Sequence, residues 1–137
     1  MSEHDKKFTL EILTPDRIVY SGEASYMRAP GTEGSFGVLA NHIPFLTTLD
    51  IGEIEVEIGN KKRFFATSGG FVEVLNNTVS ILAETAEAAE EIDIERANQA
   101  KIRAERRLRE RSAELNVARA RAALTRALTR LKVASKA

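Results

Sequence analysis

Two sets of arginines near the C-terminus have the types and spacing to hold a polyanion. Asp93, Arg96, Arg103 and Arg107 are separated by 3, 7 and 4 positions, which aligns them along one face of a helix. Arg119, Arg126 and Arg130 are separated by 7 and 4 positions and share a second such face. Guanidinium groups stay charged at any ordinary pH and meet phosphate oxygens in bidentate pairs. A solvated charged face is the ordinary explanation for either stripe alone. Two stripes brought together by a hairpin would instead make a polyanion site. The Ala-rich surface between them would let a flat base approach closely.

Other chemistry is poorly served. With no Cys, disulfides, thiolate zinc sites and cysteine nucleophiles are excluded. His42 has no second His or acid at metal or catalytic spacing, so packing or an interface explains it better. Gly34 and Gly37 punctuate a loop that lacks the Lys-Ser/Thr ending of a phosphate-binding loop. Ser68-Gly69-Gly70 is no nucleophile elbow and reads as a tight strand approach. No metal site is expected.

The elements that must position the arginines follow from composition. The chain has 137 residues and 43% hydrophobic side chains, enough for a core. Its zero net charge hides a division. Residues 1–87 carry 7 basic and 13 acidic side chains, a net −6; residues 88–137 carry 13 and 7, a net +6. All 8 Gly and all 3 Pro lie at or before Gly70. The front half therefore holds the turns, and nothing after Gly70 breaks a helix by backbone chemistry.

Phe8-Thr9-Leu10-Glu11-Ile12 alternates apolar and polar, as does Glu53-Ile54-Glu55-Val56-Glu57-Ile58, with its glutamates expected on solvent. Gly59-Asn60 with Lys61-Lys62 separates the latter from Arg63-Phe64-Phe65-Ala66 in a predicted hairpin. Asn76-Asn77 separates Phe71–Leu75 from Thr78–Leu82 in a second. Pro15-Asp16 and Pro30-Gly31 are predicted turns. From about Glu84 helix formers take over, with Asp93 placed as a cap or first-turn acid. Ile94, Ala97, Ala104 and Leu108 form one apolar stripe. Val117, Ala120, Leu124, Leu128, Leu131 and Ala134 form another. A break between Glu110 and Asn116, with Ser112 or Asn116 as a second N-cap, gives two helices. One continuous helix of about 45 residues, about 68 Å long, is also sterically allowed. The expected fold is α+β: an N-terminal antiparallel β-sandwich or barrel over residues 1–87, then a helical region, 88–137, as a two-helix hairpin able to extend.

Three function classes compete at this point. A nucleic-acid module would use the basic tail, but the front is acidic and only 6% of residues are aromatic. A coiled-coil adaptor would need a sustained Leu/Ile heptad, which the Ala-rich stripes lack. A stand-alone enzyme would need an acid, base or nucleophile constellation, and none is evident.

Four stretches carry a resemblance. They are Thr14-Pro15-Asp16 with Val19-Tyr20-Ser21-Gly22, the run Gly31 to Thr47, Ser68-Gly69-Gly70-Phe71-Val72-Glu73-Val74, and Ile92-Asp93-Ile94-Glu95-Arg96-Ala97 with its Ala/Arg-rich tail. In this order and spacing, residues 8–134 resemble the epsilon-subunit family of bacterial F-type ATP synthases, which corresponds to the mitochondrial delta subunit. The resemblance implies a non-catalytic rotor subunit. Its sandwich would bind the gamma subunit and the c-subunit ring, with Glu33, Ser35 and His42 at that interface. Its helices would permit turnover when folded back and block hydrolysis when extended into the alpha/beta hexamer. There Arg119, Arg126 and Arg130 would meet an acidic segment of beta. Some bacterial members bind ATP in the compact hairpin through Ile/Leu-Asp-x-x-Arg-Ala, matched here by Ile92, Asp93, Arg96 and Ala97. Glu87 falls at the matching acidic position, and Arg103, Arg126 and Arg130 at matching arginines, which would meet the triphosphate. Glu87 and Asp93 would lie nearer the adenosine or orient the arginines. No cofactor is required, and no visible ligand set calls for Mg²⁺. No nucleic acid is expected as a partner. The absence of a signal or transit segment favours a bacterial over a mitochondrial host. The resemblance then implies the cytoplasmic side of the bacterial inner membrane, with attachment through the complex, and protons as the family's commoner coupling ion.

Overall fold

In the computed structural model, which describes residues 6–110 and 114–137, ten strands precede two α-helices. The strands are β1 (Phe8–Leu13), β2 (Ile18–Ala24), β3 (Tyr26–Gly31), β4 (Gly34–Leu39), β5 (Phe45–Leu49), β6 (Gly52–Ile58), β7 (Lys61–Thr67), β8 (Gly70–Leu75), β9 (Thr78–Ala83) and β10 (Ala86–Ala88). A 3-10 turn, Ala89–Glu91, leads into α1 (Ile94–Glu110) and α2 (Glu114–Ala134). The strands form one sheet in the order β10-β7-β6-β3-β5-β8-β9-β1-β2, with β4 on β3. Every pairing among them is antiparallel except β1 with β9. The β3–β5 junction is a single pair, Gly31 with Leu49. There the sheet folds over, so the two halves face each other as a sandwich.

Strand periodicity builds the core. Leu10 and Ile12 of β1, Ile54 and Val56 of β6, Val72 and Val74 of β8, and Val79 and Ile81 of β9 all point inward and are buried with Phe65 and Met27. The glutamate face of β6 is not bare solvent, as expected from alternation alone. Lys136, just past α2, reaches Glu53 at 2.6 Å, and Lys62 pairs with Glu55 and Glu57. The second hairpin matches its Asn-Asn signal. Asn76 and Asn77 have φ of 52° and 57°, the two left-handed residues a type I′ turn requires. The Asn77 side chain also accepts from the Asn41 N–H at 2.8 Å and donates to the Lys7 carbonyl at 3.0 Å.

Three expectations are corrected. Pro30-Gly31 is no turn: both residues extend β3, opposite Ser35 and Gly34, so the reversal falls at Thr32-Glu33. The Pro30 carbonyl is used by the Asp50 N–H at 2.8 Å, which holds that strand end in the sheet. Lys61 and Lys62 belong to β7, and the turn is Gly59-Asn60 alone. The helical region starts at Ile94 rather than near Glu84, because Ala86, Glu87 and Ala88 add β10 to the edge of β7. Composition favours helix there, but the small alanines fit the buried edge of the sheet.

The helices pack side by side. Asp93 caps α1 as expected, its Oδ1 accepting from the Arg96 N–H at 3.0 Å. Of the proposed second caps, Ser112 lies outside the described residues, and Asn116 falls inside α2. Ala97, Ala104, Ala120 and Ala127 are buried, seven apart on each helix, so an alanine seam brings the backbones close. Ile94 and Leu128, assigned to the apolar stripes, are instead about half exposed. A seam of single methyl groups leaves these longer side chains at its rim.

Gly70 meets the expectation of a tight strand approach. Its φ is +144°, and an added Cβ would lie 2.1 Å from the Leu82 carbonyl oxygen. Gly59, at φ +62°, has open space around that position. Gly70→Ala should therefore cost at least about 2 kcal/mol, whereas Gly59→Ala should cost only about 1 kcal/mol, the left-handed penalty. Urea unfolding of the two variants checks this; equal losses would show that the Leu82 contact does not matter.

Candidate functional site

Strand β10 carries the first candidate residue. Its alternation buries Ala86 and Ala88 and turns Glu87 outward, toward the helices. There Arg130 of α2 donates from Nε to Glu87 Oε1 at 2.7 Å. The two side chains are 28% and 32% exposed, so this charge-assisted bond is partly shielded from water. It ties the helical hairpin to the sandwich edge.

Beside this pair lies an open cavity of about 580 Å³ between the sandwich and the hairpin. The sandwich contributes Thr14, Asp16 and Arg17 from the β1–β2 loop, and Glu84, Thr85, Ala86 and Glu87 around β10. The helices contribute Asp93, Arg96, Ala97, Ala100, Arg103 and Arg130. Four arginines thus face four acids. Among the described residues, the side chains of Arg96 and Arg103 have no hydrogen-bond or ion-pair partner, whereas Arg130 and Arg17 are engaged. Asp93 is committed to capping α1. Ala97 and Ala100 leave a low wall between the arginines, which suits a flat group. The arrangement can bind an anion; no group in it is placed as a nucleophile or base for covalent chemistry.

The structure brings Glu87, Asp93, Arg96, Ala97, Arg103 and Arg130 to this one cavity. Arg126 lines a small adjoining recess with Thr67, Ser68, Thr85 and Arg130. Ile92 is 7% exposed and packs with Ala66, Ala89, Val133 and Ala134, flanked by Phe64, so it anchors the helix start rather than lining the cavity. Arg119 is exposed on α2 and Arg107 is exposed on α1, both outside the lining. Thr14, Asp16, Arg17, Glu84 and Thr85 were missed as site residues. Arg17 of the β1–β2 loop lies 79 positions before Arg96 and 113 before Arg130, and no local pattern connects them.

Below the 3-10 turn, Arg63 holds Glu90 at 2.7 Å. That hydrogen bond lowers the Glu90 pKa, so its small contribution to stability is present at neutral pH and fades as pH falls through the lowered value. Arg63 also lies over the Phe65 ring at 5.0 Å. Burial raises the Tyr20 phenol pKa against this cluster.

The outward face of β8, β9, β1 and β2 is different in character. Phe71, Leu82, Leu13 and Ile18 stand opposite one another across β8, β9, β1 and β2. Phe71, Leu82 and Ile18 are exposed, as are Leu46, Leu75 and Ile43. Glu33 sits at the β3–β4 tip and Ser35 is the second residue of β4, its Oγ donating to the Ala29 carbonyl at 3.4 Å. His42 bonds through Nδ1 to the Ile43 carbonyl at 2.7 Å and meets Phe45 edge-on. Among the described residues no helix is long and apolar enough to cross a membrane.

Comparison with known proteins matches both the sandwich and the helical region. Residues 7–89 match the ATP synthase delta/epsilon chain beta-sandwich domain, and residues 90–135 match the long alpha-helix domain of the same chain. The ATP synthase epsilon chain of Nitratidesulfovibrio vulgaris strain DP4 is 51% identical over 129 residues, covering 94% of this chain and 96% of that one. The epsilon chain of Syntrophobacter fumaroxidans is 52% identical over 131 residues, covering 96% and 98%. Among solved structures, a chain of the Euglena gracilis mitochondrial ATP synthase, OSCP/F1/c-ring in rotational state 1, superposes with a TM-score of 0.76. It is 29% identical and covers 87% of this chain and 76% of that one. With both domains matched in order over nearly the whole length, the chain belongs to the ATP synthase delta/epsilon family.

Proposed function

We propose that this chain is a non-catalytic central-stalk subunit of a proton-translocating F-type ATP synthase, and that its helical hairpin restrains ATP hydrolysis and senses ATP. The carrying observation is the cavity between sandwich and hairpin, where Glu87, Asp93, Arg96, Arg103 and Arg130 converge. Such a site binds the compact arrangement alone, because undocking the hairpin would separate its walls. A ligand there favours compaction only by its differential affinity for the two arrangements. Low ATP would then release the helices toward the alpha/beta hexamer. Triphosphate oxygens would take Arg103 and Arg130, with Arg126 close behind. Arg130 would exchange Glu87 for phosphate, and Glu87 would turn to the nucleoside end.

The partners follow from the family and from the sandwich surface. The exposed row Phe71, Leu82 and Ile18, with Leu46 and Leu75 beside it, is the kind of apolar patch that a permanent partner covers. This supports docking on gamma. Glu33, Ser35 and His42, near Ile43, remain the proposed contacts with gamma and the c ring. Attachment to the cytoplasmic face of a bacterial inner membrane would then be peripheral, through the complex.

Three outcomes are expected. Reconstituted catalytic complex should hydrolyse ATP more slowly with the full chain than with the chain cut after Glu91, while both restore ATP-driven proton pumping. Equal hydrolysis rates would remove the regulatory role. Arg119→Ala/Arg126→Ala/Arg130→Ala together should raise hydrolysis of an inhibited complex several-fold, and less so at high salt; an unchanged rate rules out the clamp on beta. Titration of the isolated chain with ATP should give saturable backbone amide shifts near Asp93 and Arg126, and none at millimolar ATP would refute the sensor.

A further inference from the structure

The cleft has two walls, and only one of them is rich in cations. The helices supply Arg96, Arg103 and Arg130. From the sandwich, whose residues 1–87 carry a net charge of −6, Arg17 is the one cation in the lining. We propose that Arg17 is a phosphate-binding residue of this cleft, so that a nucleoside triphosphate held there is gripped by both domains at once. The proposal rests on the nucleotide reading above and adds the residue through which the ligand would tie the hairpin to the sandwich.

The local geometry prepares Arg17 for that role. The β1–β2 loop is closed at both ends of a four-residue turn. The Thr14 N–H donates to the Arg17 carbonyl at 3.0 Å, and the Arg17 N–H donates to Thr14 Oγ1 at 3.2 Å. The Arg17 backbone is therefore fixed at the mouth of the cavity. Its Nη2 donates to the Ala86 carbonyl at 3.3 Å, which holds the guanidinium against the β10 wall. A guanidinium carries five N–H donors. Ala86 takes one and Glu91, through Nη1 at 3.3 Å, takes another, so three remain for a ligand.

The pair with Glu91 is easily exchanged. Its side chains are 44% and 47% exposed, and exposed pairs of this geometry contribute little. A phosphate would form shorter bidentate bonds with the same fork. The acids nearby do not defeat this. Asp93 is held by the α1 cap and Glu87 by Arg130, while Asp16 and Glu84 are exposed to water. With Arg17 in place, the ligand spans the boundary between the two domains. Without it, the ligand would touch phosphate-binding cations of the hairpin alone and would favour docking less.

The test uses the full chain, titrated in parallel with ATP and with adenosine and followed through the amide shifts around Asp93. Wild type, Arg17→Ala and Glu91→Gln are compared. Arg17→Ala is expected to weaken ATP roughly ten-fold, the loss of a charge-assisted contact, and to leave adenosine unchanged. Glu91→Gln, which frees Arg17 without removing it, is expected to bind ATP at least as tightly as wild type. ATP affinity unaltered by Arg17→Ala overturns the role of Arg17. So does a Glu91→Gln variant weakened to match Arg17→Ala, because the ion pair would then matter only structurally. Wild type without saturable ATP binding is a different failure, which removes the nucleotide site itself and Arg17's part in it.

Discussion

The architecture turns on a small apolar contact between the end of α2 and the sandwich edge. Val133 and Ala134 press on Ala66, Phe64, Ala89 and Ile92. Lys136 extends the contact by reaching Glu53 and lying over the Phe64 ring at 4.8 Å. Arg130 meets Glu87 one turn earlier on the same helix. Everything in the cleft depends on this docking, since one wall belongs to the sandwich and the other to the helices. Ile92 belongs to the contact too. The residue that opens the Ile-Asp-x-x-Arg-Ala motif fixes where α1 begins, and Asp93 then caps it.

The cleft is close to electrically neutral, and that shapes what it can bind. Four arginines confront four acids, so the lining has no net charge of its own to draw an anion inward. Selectivity has to come from exchange. An incoming group must be a better partner for a guanidinium than the carboxylate it displaces. A polyphosphate meets that condition, having several strong acceptor oxygens and more than one charge. A monocarboxylate does not. Arg96 and Arg103, without hydrogen-bond or ion-pair partners for their side chains among the described residues, would offer such a ligand donors that displace no carboxylate, unlike Arg17 or Arg130.

Much of this was legible in the sequence, because strands and hairpins announce themselves through period two and turn chemistry. Val72, Val74, Val79 and Ile81 alternate inward as expected, around a turn whose Asn76-Asn77 is a strong local signal. The Asp93 cap was equally readable. Strand β10 was not. Its Ala-Glu-Ala is helix-prone, and only pairing with β7 overrides that preference. The arginine face on α1 was visible from spacing, but the place of Arg17 opposite it was not. That juxtaposition is made by the closure of the sheet, a long-range event without a local sequence signature. The two apolar stripes were visible from spacing, yet spacing could not tell that Ile94 and Leu128 would be left outside the alanine seam.

The shallowness of the contacts has its own consequence. Burying a valine contributes about 1.5–3 kcal/mol, and an alanine much less. Detaching the end of α2 therefore exposes apolar surface worth on the order of 2–5 kcal/mol, a value that compact unfolded chains would lower further. The seam of Ala97, Ala104, Ala120 and Ala127 adds only methyl contacts between the helices. A ligand present at a hundred times its Kd stabilises the form it binds by about 2.7 kcal/mol. The two magnitudes are comparable. Had leucines filled the seam and the docking site, no metabolite at ordinary excess could move the hairpin. An alanine-lined hairpin docked through Val133, Ala134 and two partly shielded ion pairs is instead held weakly enough that, on the proposed function, one bound polyanion would shift its position.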